Sequence, residues 1–190
     1  MGNVILGLLL LAPQTLYSLN QQFRHGISLF YRASYGSLQS ALRTLAAKEY
    51  VTFAETVEGG RNKKVYSITD AGAEAFHAWM RAPIEGSDIE VAALSKLYFL
   101  GLVDQPEERR AVLDDVIAAI ERDRAQLASL DAALDEMDVP EQYRRVFHYQ
   151  RKALAYGLMS TDAAEGWFRA LAADETGGAE TGGEETGEGR

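Results

Sequence analysis

The chain of 190 residues contains no cysteine and only three histidines, His25, His77 and His148, which lie far apart. The lack of cysteine excludes disulfides, thiolate metal sites and thiol catalysis, and it fits a reducing cytoplasm. No histidine pair has metal-ligand spacing, no glycine-rich loop could cradle phosphate, and no serine lies in a nucleophile motif. We therefore expect neither an enzyme nor a protein that holds a metal or cofactor.

Long apolar runs are also scarce. The longest, residues 4–12, lacks a basic start and is too short to span a bilayer, so it predicts a buried helix rather than a signal peptide or membrane anchor. We expect a cytoplasmic protein. The apolar content of 47% and charged content of 25% are typical of a globular chain with one or two domains.

The formal net charge of −9 is distributed unevenly. Residues 1–80 carry seven basic and five acidic side chains, a balance of +2, whereas residues 81–173 have a balance of −6 and residues 174–190 one of −5. Local potential governs an encounter with phosphate, so an acidic chain can still carry a basic nucleic-acid-binding region near its N-terminus.

The first 83 residues have the order of elements of a winged helix-turn-helix. A helix over 4–12 ends at Pro13, Thr15 caps a second helix over 16–24, and a third begins at Ser34. Residues 51–56 and 64–68 alternate apolar and polar side chains around Gly59 and Gly60, which predicts a β-hairpin, the wing. We predict a DNA-binding domain over residues 1–83.

The third helix presents small and hydrogen-bonding side chains opposite its apolar face, and the hairpin tip is basic. Glutamine pairs bidentately with adenine and arginine with guanine, while basic wing residues suit phosphates. The predicted base-reading residues are Ser37, Gln39, Ser40 and Arg43, and the predicted backbone-binding residues are Tyr35, Thr44, Arg61, Lys63 and Lys64.

The remainder is predicted to be helical. Thr69 caps a helix that reaches about residue 80, and further helices are expected over 89–102, 107–137 and 141–172. We assign residues 84–173 to a helical dimerisation domain and 174–190 to a disordered acidic tail. Heptad stripes do not identify their partner, so packing within one chain is the alternative to a homodimer. The predicted dimerisation residues are Leu113, Val116, Ile120, Leu127, Leu130, Leu134, Phe147, Leu154, Leu158, Trp167 and Phe168.

Most of the chain resembles the PadR-like transcriptional regulators. The matching segments are ILGLLLLAPQTLYSL, SYGSLQSALRTLAAKEYV and VYSITDAGAEAFHAWM, although Thr15 and Leu16 stand where the family commonly has His-Gly before its tyrosine. The resemblance implies a homodimer that represses a target promoter, with a small-molecule effector of unknown identity in some members. The twofold symmetry of such a dimer predicts a palindromic operator on double-stranded DNA. A MarR-type or ArsR-type regulator and a winged-helix protein-interaction module are the alternatives.

Overall fold

The structure, a computed structural model, describes residues 1–58 and 61–177 and leaves out the side chains of residues 57, 58, 61, 176 and 177. These residues form seven α-helices and a small three-stranded sheet. They divide into two compact units. One contains Met1–Ala82 and Glu90–Val103, and the other contains Pro83–Ile89 together with the residues from Asp104 onward.

The first unit has the predicted winged helix-turn-helix order. Short 3₁₀ turns follow the second and fifth helices, at Ile27–Leu29 and Leu100–Leu102. The elements are α1 (Gly2–Leu11), β1 (Gln14–Thr15), α2 (Leu16–His25), α3 (Tyr35–Ala47), β2 (Val51–Glu58), β3 (Arg61–Ile68), α4 (Asp70–Arg81) and α5 (Ile89–Tyr98).

All three predicted helix caps are formed. The Thr15 hydroxyl accepts a hydrogen bond from the Ser18 amide at 3.1 Å, and the Thr69 hydroxyl accepts one from the Gly72 amide at 3.1 Å. Ser34 caps α3 through the Ser37 amide, also at 3.1 Å. Each cap satisfies an amide that the helix itself leaves without a partner, so these helix starts follow from local chemistry.

The sheet contains one strand that the sequence pattern did not reveal. β1 pairs with β3 through Gln14 opposite Tyr66 and Thr15 opposite Val65, which gives the antiparallel order β1-β3-β2. Gln14 is buried, yet its side chain is satisfied: it donates to the Leu8 carbonyl at 3.1 Å and accepts from Gln22 at 2.7 Å. A two-residue strand has no periodicity to detect.

Helix α5 packs within the same unit as the winged helix. Phe99, which directly follows α5, is buried and meets the Phe76 ring edge-on at 5.7 Å. Both rings crowd the space beside Gly7, where a Cβ would lie 2.8 Å from each.

The buried Lys96 ammonium donates to the carbonyls of Met80, at 3.0 Å, and Ala82. Residues 90–103 thus cluster with residues 1–82, whereas the predicted division placed them in the dimerisation domain; the boundary between functional domains stays a prediction.

The second unit is built on two long helices, α6 (Pro106–Asp135) and α7 (Arg144–Gly177), joined through a 3₁₀ turn at Glu141–Tyr143. Ion pairs link the two helices in antiparallel order: Arg151 with Asp131 at 2.7 Å near one end, and Arg109 with Glu175 at 2.8 Å near the other. The predicted tail begins at residue 174, whereas α7 continues to Gly177, so the extent of the tail stays a prediction. Residues 178–190 lie outside the described chain.

The predicted dimerisation residues differ in burial. Leu113, Val116, Ile120, Leu154 and Phe168 are buried within the single chain, whereas Leu130 and Trp167 are exposed. The other four, Leu127, Leu134, Phe147 and Leu158, have intermediate exposure. A side chain already covered by its own chain has little surface left for a second copy. The five buried residues therefore hold the fold together, and only the others retain surface for an interface.

Candidate nucleic-acid interface

Helix α3 presents one polar face to solvent. Leu38, Leu42 and Leu45 are buried at three- and four-residue spacing, which anchors the opposite side in the core. Gln39, Ser40 and Arg43 are exposed and lie along one face, because they too are three and four residues apart. The structure thus brings together three of the four predicted base-reading side chains.

Arg43 is available for recognition. Within residues 1–58 and 61–177 its guanidinium makes no hydrogen bond or ion pair, and its side chain is exposed. Arginine offers five donors in a planar fork that matches the O6 and N7 acceptors of guanine. An exposed arginine at the centre of this polar face is suited to reading a base edge.

Two predicted contact residues already use their hydroxyl protons inside the helix. Ser37 completes a capping box: its hydroxyl donates to the Ser34 carbonyl at 2.8 Å and accepts from the Ser34 amide at 2.9 Å. Thr44 donates its hydroxyl proton to the Ser40 carbonyl at 3.1 Å. The Ser37 hydroxyl also accepts from the Ser34 hydroxyl at 3.1 Å, so both its acceptor positions are filled, whereas the Thr44 hydroxyl can still accept a hydrogen bond. Neither hydroxyl can donate to a phosphate without first breaking a bond that it makes in α3 or its cap.

The register of the wing separates its basic residues onto two faces. Lys64 lies opposite Glu55 and Lys63 opposite Thr56, and neighbouring residues of a strand point to opposite sides. The Lys64 ammonium lies 3.5 Å from the Glu55 carboxylate and 4.0 Å from the centre of the Phe53 ring. Lys64 is therefore partly neutralised, which alternation along the strand alone did not show.

Two other predicted features of the wing cannot be placed. The Arg61 backbone pairs with Glu58 in β3, but its side chain lies outside the described residues. The turn glycines, Gly59 and Gly60, also lie outside them. Tyr35 is half exposed at the first position of α3, on the flank of the polar face.

The end of α3, the start of the wing and the start of α4 pack closely against one another. After α3 the chain turns at Glu49, which has a positive φ of 59°, and Tyr50 leads into β2. The Tyr50 carbonyl accepts from the Thr69 amide at 3.1 Å, and the Thr69 hydroxyl donates to the Glu49 carbonyl at 2.7 Å. A Cβ at Gly72 would lie 2.0 Å from the Tyr50 carbonyl oxygen, so only glycine fits. This contact fixes where the wing leaves the end of α3.

The fold and this face define the class of protein: a winged helix-turn-helix followed by a helical C-terminal region. Residues 5–78 match the model of the "Transcriptional regulator PadR-like family". The match confirms the predicted resemblance and identifies the first part of this chain as a PadR-like region. The description of that family is of transcriptional regulators. No curated protein sequence matches the chain.

Several solved structures are similar to the chain. Bacillus subtilis PadR in complex with operator DNA is 22% identical, with 92% of this chain and 98% of that chain covered and a TM-score of 0.43. The PadR-like regulator BC1756 from Bacillus cereus is 25% identical, with 92% and 94% covered and a TM-score of 0.40. The Vibrio cholerae virulence activator AphA is 22% identical, with 93% and 98% covered and a TM-score of 0.38.

Across residues 1–58 and 61–177, no helix combines the length and the apolar character needed to cross a bilayer.

Proposed function

We propose that this chain is a sequence-specific transcriptional repressor that binds a palindromic operator as a homodimer. One observation carries the proposal: an exposed polar face on a capped helix, with Arg43 at its centre, within a region that matches a family of transcriptional regulators. The polar face suits base edges, and the wing beside it supplies basic side chains for the backbone.

The dimer gives the expected geometry on DNA. Two copies related by a twofold axis place two α3 helices in successive major grooves, about 34 Å apart, so the operator has matching inverted half-sites. Gln39 and Arg43 are the proposed base readers, with Ser40 between them. Lys63 is the proposed phosphate contact of the wing, and Tyr35 contacts the backbone beside α3.

Ser37 and Thr44 take a narrower role in this proposal. Their protons are engaged in α3 and its cap, so neither has a free proton for phosphate. Thr44 can accept a hydrogen bond from the amino group of adenine or cytosine, whereas Ser37 already accepts from the Ser34 amide and the Ser34 hydroxyl and serves the cap of α3. The Lys64 ammonium next to Glu55 contributes less to phosphate binding than it would without that carboxylate. These assignments state which alanine substitutions should have large effects and which should have small ones.

The test is a footprint of the purified protein on the DNA upstream of its own reading frame, followed by titration of the protected fragment. Arg43→Ala should weaken binding to that site by about 1–3 kcal/mol and relax base preference at one position in each half-site. Lys63→Ala should weaken all sequences alike and reduce the slope of log affinity against log salt by about 0.9 for each phosphate that the lysine neutralises.

Lys64→Ala tests how far the Glu55 carboxylate reduces the contribution of Lys64 to phosphate binding, because residues 64 and 55 lie opposite each other in the hairpin. Its salt slope should change by less than about 0.9, since Glu55 already balances part of the charge. Unchanged operator affinity in Arg43→Ala would show that α3 reads DNA through another face. Absence of any footprint, together with retained folding, would favour the protein-interaction module.

A further inference from the structure

A cavity lies between α6 and the linker, residues 83–88, which joins α4 to α5 in the chain. All the residues that line it belong to the second unit. Its volume is about 550 Å³, which falls within the roughly 300–1,000 Å³ of small-molecule sites. The buried Ile84 and the half-buried Ile89 form apolar parts of its wall. Its polar side chains include Glu85, Arg122, Asp123 and Gln126.

Asp123 interrupts the apolar face of α6. It lies three residues after the buried Ile120 and four residues before the half-buried Leu127, and residues at this spacing share one face of a helix. Asp123 is itself half-buried, and across residues 1–58 and 61–177 its carboxylate makes no hydrogen bond or ion pair. Partial burial of an unpaired carboxylate costs free energy, and a cationic group bound in the cavity would offset that cost.

The cavity contains charges of both signs that do not neutralise each other. Among the described residues the Glu85 carboxylate, on the linker, also makes no hydrogen bond or ion pair. Arg122 donates one hydrogen bond, from Nη2 to the Ile84 carbonyl at 3.2 Å, which holds the linker against α6. Its guanidinium has further N–H donors available for a ligand. Two unpaired carboxylates and one such guanidinium suit a small molecule that carries both an ammonium group and a carboxylate.

We propose that this cavity binds a small zwitterion, an α-amino acid with an aliphatic side chain. The carboxylates of Asp123 and Glu85 accept hydrogen bonds from its ammonium group, and the Arg122 guanidinium donates to its carboxylate. The aliphatic side chain packs against Ile84 and Ile89. Hydrogen bonds between charged groups are about twice as strong as neutral ones, so these contacts supply most of the specificity.

The position of the cavity gives such a ligand a route to DNA binding. The linker belongs to the second unit, whereas α4 before it and α5 after it belong to the first. A ligand bound between the linker and α6 therefore acts on a segment whose two ends are both covalently attached to the winged-helix unit. This consequence rests on the proposed function, whereas ligand binding itself does not. By linkage, operator DNA should change the affinity for the amino acid by the same factor as the amino acid changes operator affinity.

The first test is thermal unfolding of the full chain with L-leucine at millimolar concentration. L-leucine should raise the melting temperature, because a ligand that binds only the folded chain stabilises it. Two matched analogues test the ligand class: isoamylamine lacks only the carboxylate of leucine, and isocaproate lacks only its ammonium group. Each should bind at least about tenfold more weakly than L-leucine in isothermal titration, because each loses a charge-assisted contact. No rise with L-leucine, or equal binding of either analogue, would overturn the proposal.

The second test uses variants that remove charge but almost no volume. Asp123→Asn and Glu85→Gln should each weaken L-leucine binding at least about tenfold. Asp115→Asn is the matched control, because Asp115 is a half-buried carboxylate on α6 that does not line the cavity. It should bind L-leucine as the native chain does. Unchanged binding in the two cavity variants, or an equal loss in the control, would place the ligand elsewhere and overturn the proposal.

The operator footprint distinguishes this proposal from the proposed function. L-leucine should change the operator affinity of the native chain at least about fivefold and leave that of Asp123→Asn unchanged. A protein that binds L-leucine as described but protects no DNA would keep the cavity as a binding site and reject the repressor. A protein that protects an operator but does not bind L-leucine would keep the repressor and reject the binding site.

Discussion

Among the glycines whose surroundings the structure describes, Gly72 is the one at which substitution by alanine should destabilise the protein most. The new Cβ would lie 2.0 Å from the Tyr50 carbonyl oxygen and 2.9 Å from the Ile68 side chain. The carbonyl cannot rotate away freely, because it accepts the Thr69 amide at 3.1 Å and the Tyr50 amide is itself bound to the Leu45 carbonyl at 3.0 Å. Relief of the overlap therefore requires displacement of backbone.

The magnitude follows from two terms. Overpacking a well-filled site costs about 1–3 kcal/mol, and leaving the Thr69 amide without its acceptor adds about 1–3 kcal/mol. The sum, about 2–6 kcal/mol, is a large part of the roughly 5–15 kcal/mol that holds a typical domain folded. The structural effect concentrates where the wing leaves α3, so operator affinity should also fall at temperatures where the variant remains folded.

The assay is urea denaturation followed by far-ultraviolet circular dichroism, with Gly36→Ala as the matched control. Gly36 lies in α3 with no atom near its would-be Cβ, so alanine there should stabilise by about 0.4–1 kcal/mol through the unfolded chain. Equal m-values would show that the variants unfold in the same way. A loss below about 1 kcal/mol for Gly72→Ala would refute the close approach of α4 to Tyr50.

Two further predictions concern the first unit. Residues 1–103 expressed alone should unfold cooperatively. Residues 1–83 should melt at a temperature at least ~12 °C lower, because they lack the buried Phe99 ring and the Lys96 ammonium that binds the last carbonyls of α4. Equal melting curves would contradict the assignment of residues 90–103 to this unit. Ser34→Ala should lower the free energy of unfolding by about 1 kcal/mol, because it removes the cap of α3. Ser28→Ala is the control, since the Ser28 hydroxyl caps no helix start. Similar losses in both variants would reject the capping account.

Residues close together in the chain account for what the sequence predicted well. The caps at Thr15, Ser34 and Thr69 are bonds over three residues, so their side chains and the following apolar pattern were sufficient to locate α2, α3 and α4. The hairpin needed only alternation and turn residues. The polar face of α3 was predictable for the same reason, since helical periodicity alone decides which residues share a face.

The parts that were missed depend on partners far away in sequence or on side-chain conformation. Strand β1 exists only because β3, about fifty residues later, offers it a free edge. The state of Lys64 depends on the register that brings Glu55 opposite it, and the engaged hydroxyl of Ser37 depends on the rotamer it adopts in the cap. Neither residue type nor spacing specifies those contacts.

The sequence by itself determined a winged helix-turn-helix, its capped third helix and a C-terminal region of long helices, because short-range hydrogen bonds and periodic burial depend on neighbouring residues. Only the tertiary structure decided that α5 packs in the same unit as the winged helix and which side of α7 contacts α6. An apolar stripe indicates that a helix packs against a partner, but the hydrophobic effect has no direction, so packing across the whole fold determines which partner it is.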